Sequence, residues 1–368
     1  MRPPQCESIK TYLATALHTQ DMSSAHSTQI HGTDYFEGHG LRSNEVLLDV
    51  LYCGIAHTDV LAARTAPRKT TANPLLGQEI IGRIKARGRS VSRFKLGDIV
   101  GVGALAASCG QCSQCLGNLE QYCQNTPVST RDYQNVRPAT HHPARPLQDS
   151  NSIVVTEPFL IRIPPDAELA ATAPILGAAI TTYSAMQHWD LTSGQHVGVI
   201  GMGGLGHMAV KLAAARQANV TVFTTSPDKR IDATRFGARE TLLWNDEAAF
   251  DRLANQFDLL ISTVPQPYSI LNFMDLLKLN GTLINLGTTE ELQDFPGPNM
   301  SPGRRSVAGS TGGSIAEIEE LLAYCTLHEI RPEIECIRPD RIDHIFDGSH
   351  KKNTGYRYVI DFASERKH

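Results

Sequence analysis

Four cysteines stand close together as Cys109-x2-Cys112-x2-Cys115-x7-Cys123. Thiolates at this spacing on a short Gly-containing loop suit one tetrahedral zinc with all four positions filled by protein. A closed site leaves no position for substrate, so the ion expected here is structural. The remaining cysteines, Cys6, Cys53, Cys325 and Cys336, are scattered and read as small apolar residues. With no secretory leader legible in MRPPQCESIK, the cluster points to metal and not to a disulfide framework.

The second chemical signal is Val197-Gly-Val-Ile-Gly201-Met-Gly203-Gly204-Leu205-Gly206. It follows a strand pattern and opens a helix pattern. Gly201 permits the tight turn, Gly203 lets backbone approach a diphosphate, and Gly206 lets helix and strand pack closely. Gly204 and Leu205 complete the turn. The helix N-terminus behind it favours an anion. The next strand ends at Phe223-Thr224-Thr225-Ser226, followed by Pro-Asp-Lys229-Arg230. An NAD site normally places an acid at that strand end to bind the ribose 2′-hydroxyl. Here hydroxyls and two cations suit a 2′-phosphate instead, so NADP(H) is expected. Thr263, after the strand pattern Asp258–Ser262, completes the cofactor-side candidates.

These residues need a scaffold. Residues 45–165 alternate short apolar runs with Gly and charged turns, such as EVLLDVLYCG and GDIVGVGAL, which reads as β-rich. From about Pro165 strand patterns recur at Val197–Ile200, Val220–Phe223, Thr241–Trp244, Asp258–Ser262 and Thr282–Leu286. Helical stretches lie between them, at Met208–Gln217, Lys229–Phe236 and Ser269–Leu279. This alternation means a doubly wound parallel sheet. Ser314-x-x-Glu317 reads as a capping box before an amphipathic helix, and Tyr356–Phe362 as a last strand. Residues 10–40 pattern weakly, and Asn125–Ser152 reads as a long irregular loop.

A chain of 368 residues is long enough for two domains. A net charge of −4 gives no reason to expect nucleic acid or an anionic membrane as partner. No apolar run approaches the roughly 20 residues that span a bilayer. A cytoplasmic protein with a small-molecule substrate is the expectation.

The chain resembles the zinc-containing medium-chain alcohol dehydrogenases, in particular the cinnamyl-alcohol-dehydrogenase-like branch. The likeness is carried by Tyr52-Cys-Gly-Ile-Ala-His-Thr-Asp59, Gly97-Asp-Ile-Val-Gly-Val-Gly103, the cysteine lobe, Thr181-Thr-Tyr-Ser184, the GMGGLGH turn and Tyr356-Arg-Tyr-Val-Ile-Asp361. It runs from about residue 44 to the end. The resemblance implies an α/β fold, with a GroES-like β-rich catalytic domain plus a doubly wound parallel-sheet Rossmann domain. The expected division is 1–165 for the GroES-like domain, with the zinc lobe at about 105–125. Residues 166–305 form the NADP-binding domain, and 306–368 return to the catalytic domain. The resemblance also implies a homodimer, with the segment Ser306–Ser310 as the pairing edge.

The family binds a catalytic zinc through two cysteines, a histidine and a neighbouring glutamate. At the matching positions this chain has Ala56, Gln78 and Gly177, and only Glu79 persists. A histidine that relays the alcohol proton in many relatives is replaced by Leu61. The expectation is therefore loss of the catalytic ion, with a pocket widened beside the nicotinamide. Thr58, Gln78, His57 and Asp59 are the catalytic candidates, and Glu79 is expected to pair with a nearby cation.

Without a Lewis acid, ordinary carbonyl reduction loses transition-state stabilisation, whereas hydride transfer from the cofactor persists. An NADPH-dependent reductase of an activated C=C or C=N bond (an enal, enone or iminium) follows. Three alternatives stay open: a non-redox enzyme using the cleft as a shaped pocket, a catalytically silent NADPH-binding protein, and a zinc-dependent alcohol dehydrogenase.

Overall fold

The computed structural model describes residues 41–56, 59–60, 77–125, 127–130, 152–287, 300–342 and 356–364. The expectations for residues 10–40 and 131–151 lie outside them.

Strand β1 (Glu45–Ile55) is buried along nearly its whole length, as a strand inside a sheet must be. β2 (Glu79–Arg87) and β3 (Ile99–Val102) follow as antiparallel neighbours. β4 (Leu105–Ala107) and β5 (Val128–Ser129) pair on either side of the cysteine lobe, which holds the short helix α1 (Ser113–Leu116). β6 (Ser152–Thr156) pairs with the first half of β1, and β7 (Ile161–Arg162) with β3. The core between them is aliphatic: Val46, Leu48, Ile80, Val100, Val102, Ile153 and Val155.

Helices α2 (Leu169–Thr172) and α3 (Ala178–His188) lead into the alternating region. There follow β8 (His196–Ile200), α4 (Gly206–Ala215), β9 (Asn219–Thr224), α5 (Arg230–Arg235) and β10 (Glu240–Leu243). Next come α6 (Glu247–Arg252), β11 (Phe257–Ser262), α7 (Leu271–Met274), β12 (Leu277–Asn285) and β13 (Ser306–Gly309). These six strands form one sheet in the order β10-β9-β8-β11-β12-β13, every pair parallel. Val197, Val199, Val220, Val222 and Ile261 pack on one face. Ile200, Phe223, Leu260 and Leu283 pack on the other. A parallel sheet covered on both faces is the doubly wound arrangement expected from sequence.

After β13 comes α8 (Ile315–Leu327), whose capping box is formed as expected. The chain then returns to the first sheet through β14 (Ile334–Ile337) and β15 (Arg357–Asp361). β15 pairs with Tyr52–Ile55 of β1, so the last strand sits beside one of the first.

Two expectations fail: within the expected loop Asn125–Ser152, Val128–Ser129 pairs as β5, and the helix at Ser269–Leu279 is a single turn, α7, with β12 already beginning at Leu277. Asn280, at φ 66°, and Gly281 lie inside that strand. The segment Leu276–Leu279, apolar except for Lys278, served both periods, and pairing with β11 decided for strand. Among the described residues no single helix is long and apolar enough to cross a membrane.

Candidate functional site

At the end of β8 the chain turns at Gly201, whose φ of 90° is left-handed and favours glycine. A side chain at Gly206 would overlap the Gly201 carbonyl, so helix and strand meet there without room for one. Gly203 faces open space, with nothing within 4 Å of where its Cβ would stand. Leu205 occupies the N-cap of α4. Gly201 and Gly206 thus have the backbone roles their spacing implied, the tight turn and the close helix–strand packing. Thr263 Oγ1 donates to the carbonyls of Ile200 and Gly201, both at 3.1 Å, so it braces the turn from beneath.

Sequence reasoning missed His207. It is fully buried, with Nδ1 3.3 Å from the Gly203 carbonyl, and Nε2 accepts the Glu333 N–H at 3.2 Å. Its ring stacks on Tyr356 at 5.0 Å. Burial, with the charges of Lys211 and Arg357, pushes its pKa down to about 3. The imidazole is therefore neutral, and its partners set the tautomer with the proton on Nδ1. It ties the phosphate-binding turn to the strand pair β14–β15. Its position directly after the glycine motif was the available signal.

At the end of β9, Thr225 and Arg230 are exposed and Ser226 is half-buried. Ser226 N–H donates to Thr224 Oγ1 at 3.1 Å. Lys229 differs from its neighbours: Nζ donates to the Met202 carbonyl at 2.5 Å and lies 5.6 Å from the Tyr356 ring centroid. Burial lowers its pKa. The lysine therefore already grips the phosphate-binding turn and Thr224 is buried, while Thr225 and Arg230 are exposed.

Glu79 stands at the start of β2, against the first turn of α3. It is 3 % exposed and forms an ion pair with Arg357, which is 4 % exposed. Glu79 Oε1 also accepts the Ala178 N–H at 2.9 Å, capping the first turn of α3. Burial raises the Glu79 pKa, and Arg357 opposes that shift. A Cβ at Gly177 would overlap Glu79 Oε1, and one at Gly54 would overlap Oε2. The expected widening of the pocket is therefore absent at Gly177: the glutamate fills the space. The expected cation partner of Glu79 is Arg357, whose Cδ comes within 2.8 Å of where a Gly204 Cβ would stand.

Asp59 is 1 % exposed, and its Oδ2 accepts the Ala56 N–H at 2.7 Å. The Gln78 amide reaches its Oδ1 at 3.5 Å. These contacts make Asp59 a brace for the Ala56 turn. Cys53 is buried, and burial with nearby Asp59 and Glu79 holds its thiol well above the usual range. His57, Thr58 and Leu61 lie outside the described residues.

Among the described residues, one group of three or more His, Cys, Asp or Glu is arranged to hold a metal ion: Cys109, Cys112, Cys115 and Cys123. Their sulfurs lie within 4.8 Å of one another. Cys109 and Cys115 are 3.9 Å apart, and Cys112 and Cys123 are 4.0 Å apart. A tetrahedron with Zn–S of about 2.3 Å has edges of about 3.8 Å, so the four thiols fit one zinc. Donation from Gln111 and other backbone N–H groups holds Cys109 down to about 6. Burial pushes Cys123 up to about 12, and a bound cation would supply the charge that deprotonates it.

Two family descriptions match the chain: Alcohol dehydrogenase GroES-like domain over residues 42–143 and Zinc-binding dehydrogenase over 204–326. NADP-dependent alcohol dehydrogenase C 1 of Mycolicibacterium smegmatis is 39% identical over 88% of this chain and 92% of its own length. The cinnamyl alcohol dehydrogenase SbCAD4 of Sorghum bicolor superposes with a TM-score of 0.78 at 33% identity, covering 89% of this chain and 92% of that one. The cinnamyl alcohol dehydrogenase of Helicobacter pylori, solved with NADP(H), gives 0.74 at 34% identity, covering 88% and 92%. The glycine turn, the acid-free strand end, the four-thiol lobe and these likenesses agree: the chain belongs to the zinc-containing medium-chain alcohol dehydrogenase family, in its cinnamyl-alcohol-dehydrogenase-like branch, and is an NADP-dependent oxidoreductase.

Proposed function

We propose that this enzyme reduces an activated C=C or C=N bond (an enal, enone or iminium) without a catalytic zinc. The observation that carries the reading is the occupation of the Gly177 site by Glu79, itself committed to Arg357 and the Ala178 N–H. Ala56 and Gly177 offer no donor side chain, and Gln78 is a poor one for zinc.

NADPH would supply the hydride when bound, on Gly201, Gly203, Gly204, Leu205 and Gly206, with Thr225, Ser226 and Arg230 toward the 2′-phosphate and Lys229 and Thr224 holding the turns beside it. In an enone the β-carbon takes the hydride, the C=C pair shifts, and negative charge develops on the carbonyl oxygen. Gln78 donates its amide N–H to that oxygen, a contribution of the oxyanion-hole kind. Thr58 relays a proton from solvent to the α-carbon, which collapses the enolate and completes the reduction, with His57 next to it in sequence. Asp59 braces Ala56, directly after β1, by accepting its N–H.

The pairing of Ser306–Gly309 from two copies into one continuous sheet is proposed as the homodimer contact, because β13 is the outer strand of the parallel sheet. A cytoplasmic setting and a division into catalytic and nucleotide-binding domains belong to the same proposal.

The test is nicotinamide absorbance with NADPH and a panel of enals, enones, iminiums and simple aldehydes. Turnover confined to the activated acceptors, and lost in Gln78→Leu with NADPH affinity kept, is expected. Turnover of simple aldehydes alone would overturn the proposal in favour of zinc-dependent alcohol chemistry.

A further inference from the structure

Two side chains between the third and fourth cysteines reach out of the lobe. Glu120 Oε1 accepts the N–H of Ile315, the first residue of α8, at 2.7 Å. That helix already has its own capping box: Ser314 Oγ accepts the Glu317 N–H at 3.1 Å, and Glu317 Oε2 accepts the Ser314 N–H at 2.8 Å. The lobe thus supplies a third acceptor to the same helix start. Tyr122 Oη accepts the Thr311 N–H at 3.3 Å and lies 3.2 Å from Ser310 Oγ.

The segment they hold leaves the carboxyl end of β13. In a doubly wound sheet the dinucleotide lies outside the carboxyl ends of the strands, with one mononucleotide half on each side of the switch point. β11, β12 and β13 form the half away from the 2′-phosphate side, so this segment borders the nicotinamide end. Gly309 and Gly312 face open space, as Gly203 does at the diphosphate turn. The segment therefore touches the lobe on one side and borders the cleft on the other.

We infer that zinc in the lobe and NADP(H) in the cleft are coupled, each tightening the other, with Glu120 and Tyr122 as the positioning residues that join them. Cys115 and Cys123 bracket both side chains, so an ion joining the two thiolates fixes where Glu120 and Tyr122 stand. When the ion leaves, the bracketed turn is released, and its hydrogen bonds to Ser310, Thr311 and Ile315 are no longer preorganised. The cofactor must then order its own rim on binding. Because coupling between two binding equilibria is reciprocal, the bound cofactor must hold the zinc more tightly by the same factor.

The experiment uses the full chain with one zinc bound. Zinc affinity is measured by competition with a chelator of known affinity, with and without saturating NADPH. NADPH affinity is measured by calorimetry on wild type, Glu120→Ala, Glu120→Gln and Tyr122→Phe, all zinc-loaded. In wild type, NADPH should tighten zinc by about fivefold or more, the usual lower range of such coupling. Glu120→Ala and Tyr122→Phe should keep their zinc, lose most of that enhancement and bind NADPH correspondingly more weakly. Glu120→Gln retains an acceptor for the Ile315 N–H and should recover most of the effect. Unchanged zinc affinity in wild type on adding NADPH overturns the inference. So does full enhancement in both Glu120→Ala and Tyr122→Phe. Should Glu120→Ala fail to fold, the wild-type measurement and Tyr122→Phe decide.

Discussion

Glu79 and Arg357 form a buried ion pair between the first long hairpin and the last strand, with the Ala178 N–H as the carboxylate's second anchor. This pair stands where the family gathers the ligands of a catalytic ion. Breaking it leaves a charge in a dry place, which typically costs about 3–5 kcal/mol. Arg357→Met should therefore lower stability by that order in chemical denaturation. The double variant Glu79→Leu/Arg357→Met should recover much of the loss.

The pH dependence of Arg357→Met follows in sign. Burial already raises the Glu79 pKa, and Arg357 is the largest influence lowering it. Without Arg357 the folded value rises further above the unfolded one. Stability is then present at acid pH and is lost as pH rises from the ordinary carboxylate value through the raised folded one. The deficit against wild type should shrink on acidification; a deficit that grows would contradict the pairing.

His207 gives the opposite sign. Burial depresses its folded pKa to about 3, well below the ordinary imidazole value of about 6.5. The stability held by the neutral ring is full above the unfolded value and falls as pH drops toward 3. A tenfold change in proton affinity corresponds to about 1.4 kcal/mol, so an acid-side loss of several kcal/mol is expected. His207→Gln should flatten stability against pH in that window, while lowering it at neutral pH through two weakened hydrogen bonds. Denaturation midpoints of both proteins across the acid range measure the difference.

Charge reversal should separate the two cations after β9. Arg230 is exposed just after β9 and is proposed to meet the 2′-phosphate, so Arg230→Glu should weaken NADPH about tenfold or more while sparing NADH, as loss of a charge-assisted bond implies. Lys229 holds the Met202 carbonyl, so Lys229→Glu should weaken both cofactors. Calorimetric titration of the two variants distinguishes these patterns.

Much of this was legible because it is local. Gly201, Gly203 and Gly206 are set by backbone conformation and clearance, and Ser314 with Glu317 forms its cap within one helical turn. The cysteines are local as well, four ligands on one loop. What sequence could not give is long-range. The partnership of Glu79 with Arg357, and of Glu120 with Ile315, exists only once distant strands and helices are packed. The expected widening at Gly177 failed for the same reason: the residue that fills the space belongs to another element. At Leu276–Leu279 a leucine-rich segment fitted two periods, and only the neighbouring strand chose.

Metal content read together with chelation tests the central claim most directly. About one zinc per chain is expected, held by Cys109, Cys112, Cys115 and Cys123. Cys112→Ser should lose that zinc and unfold at lower denaturant, since a structural ion contributes folding free energy. Reduction of an enone or iminium by the intact enzyme should be unaffected by a mild chelator that leaves the lobe loaded, and by added zinc. A content near two zinc per chain, or simple-aldehyde reduction abolished by that chelator and restored by zinc, would contradict it.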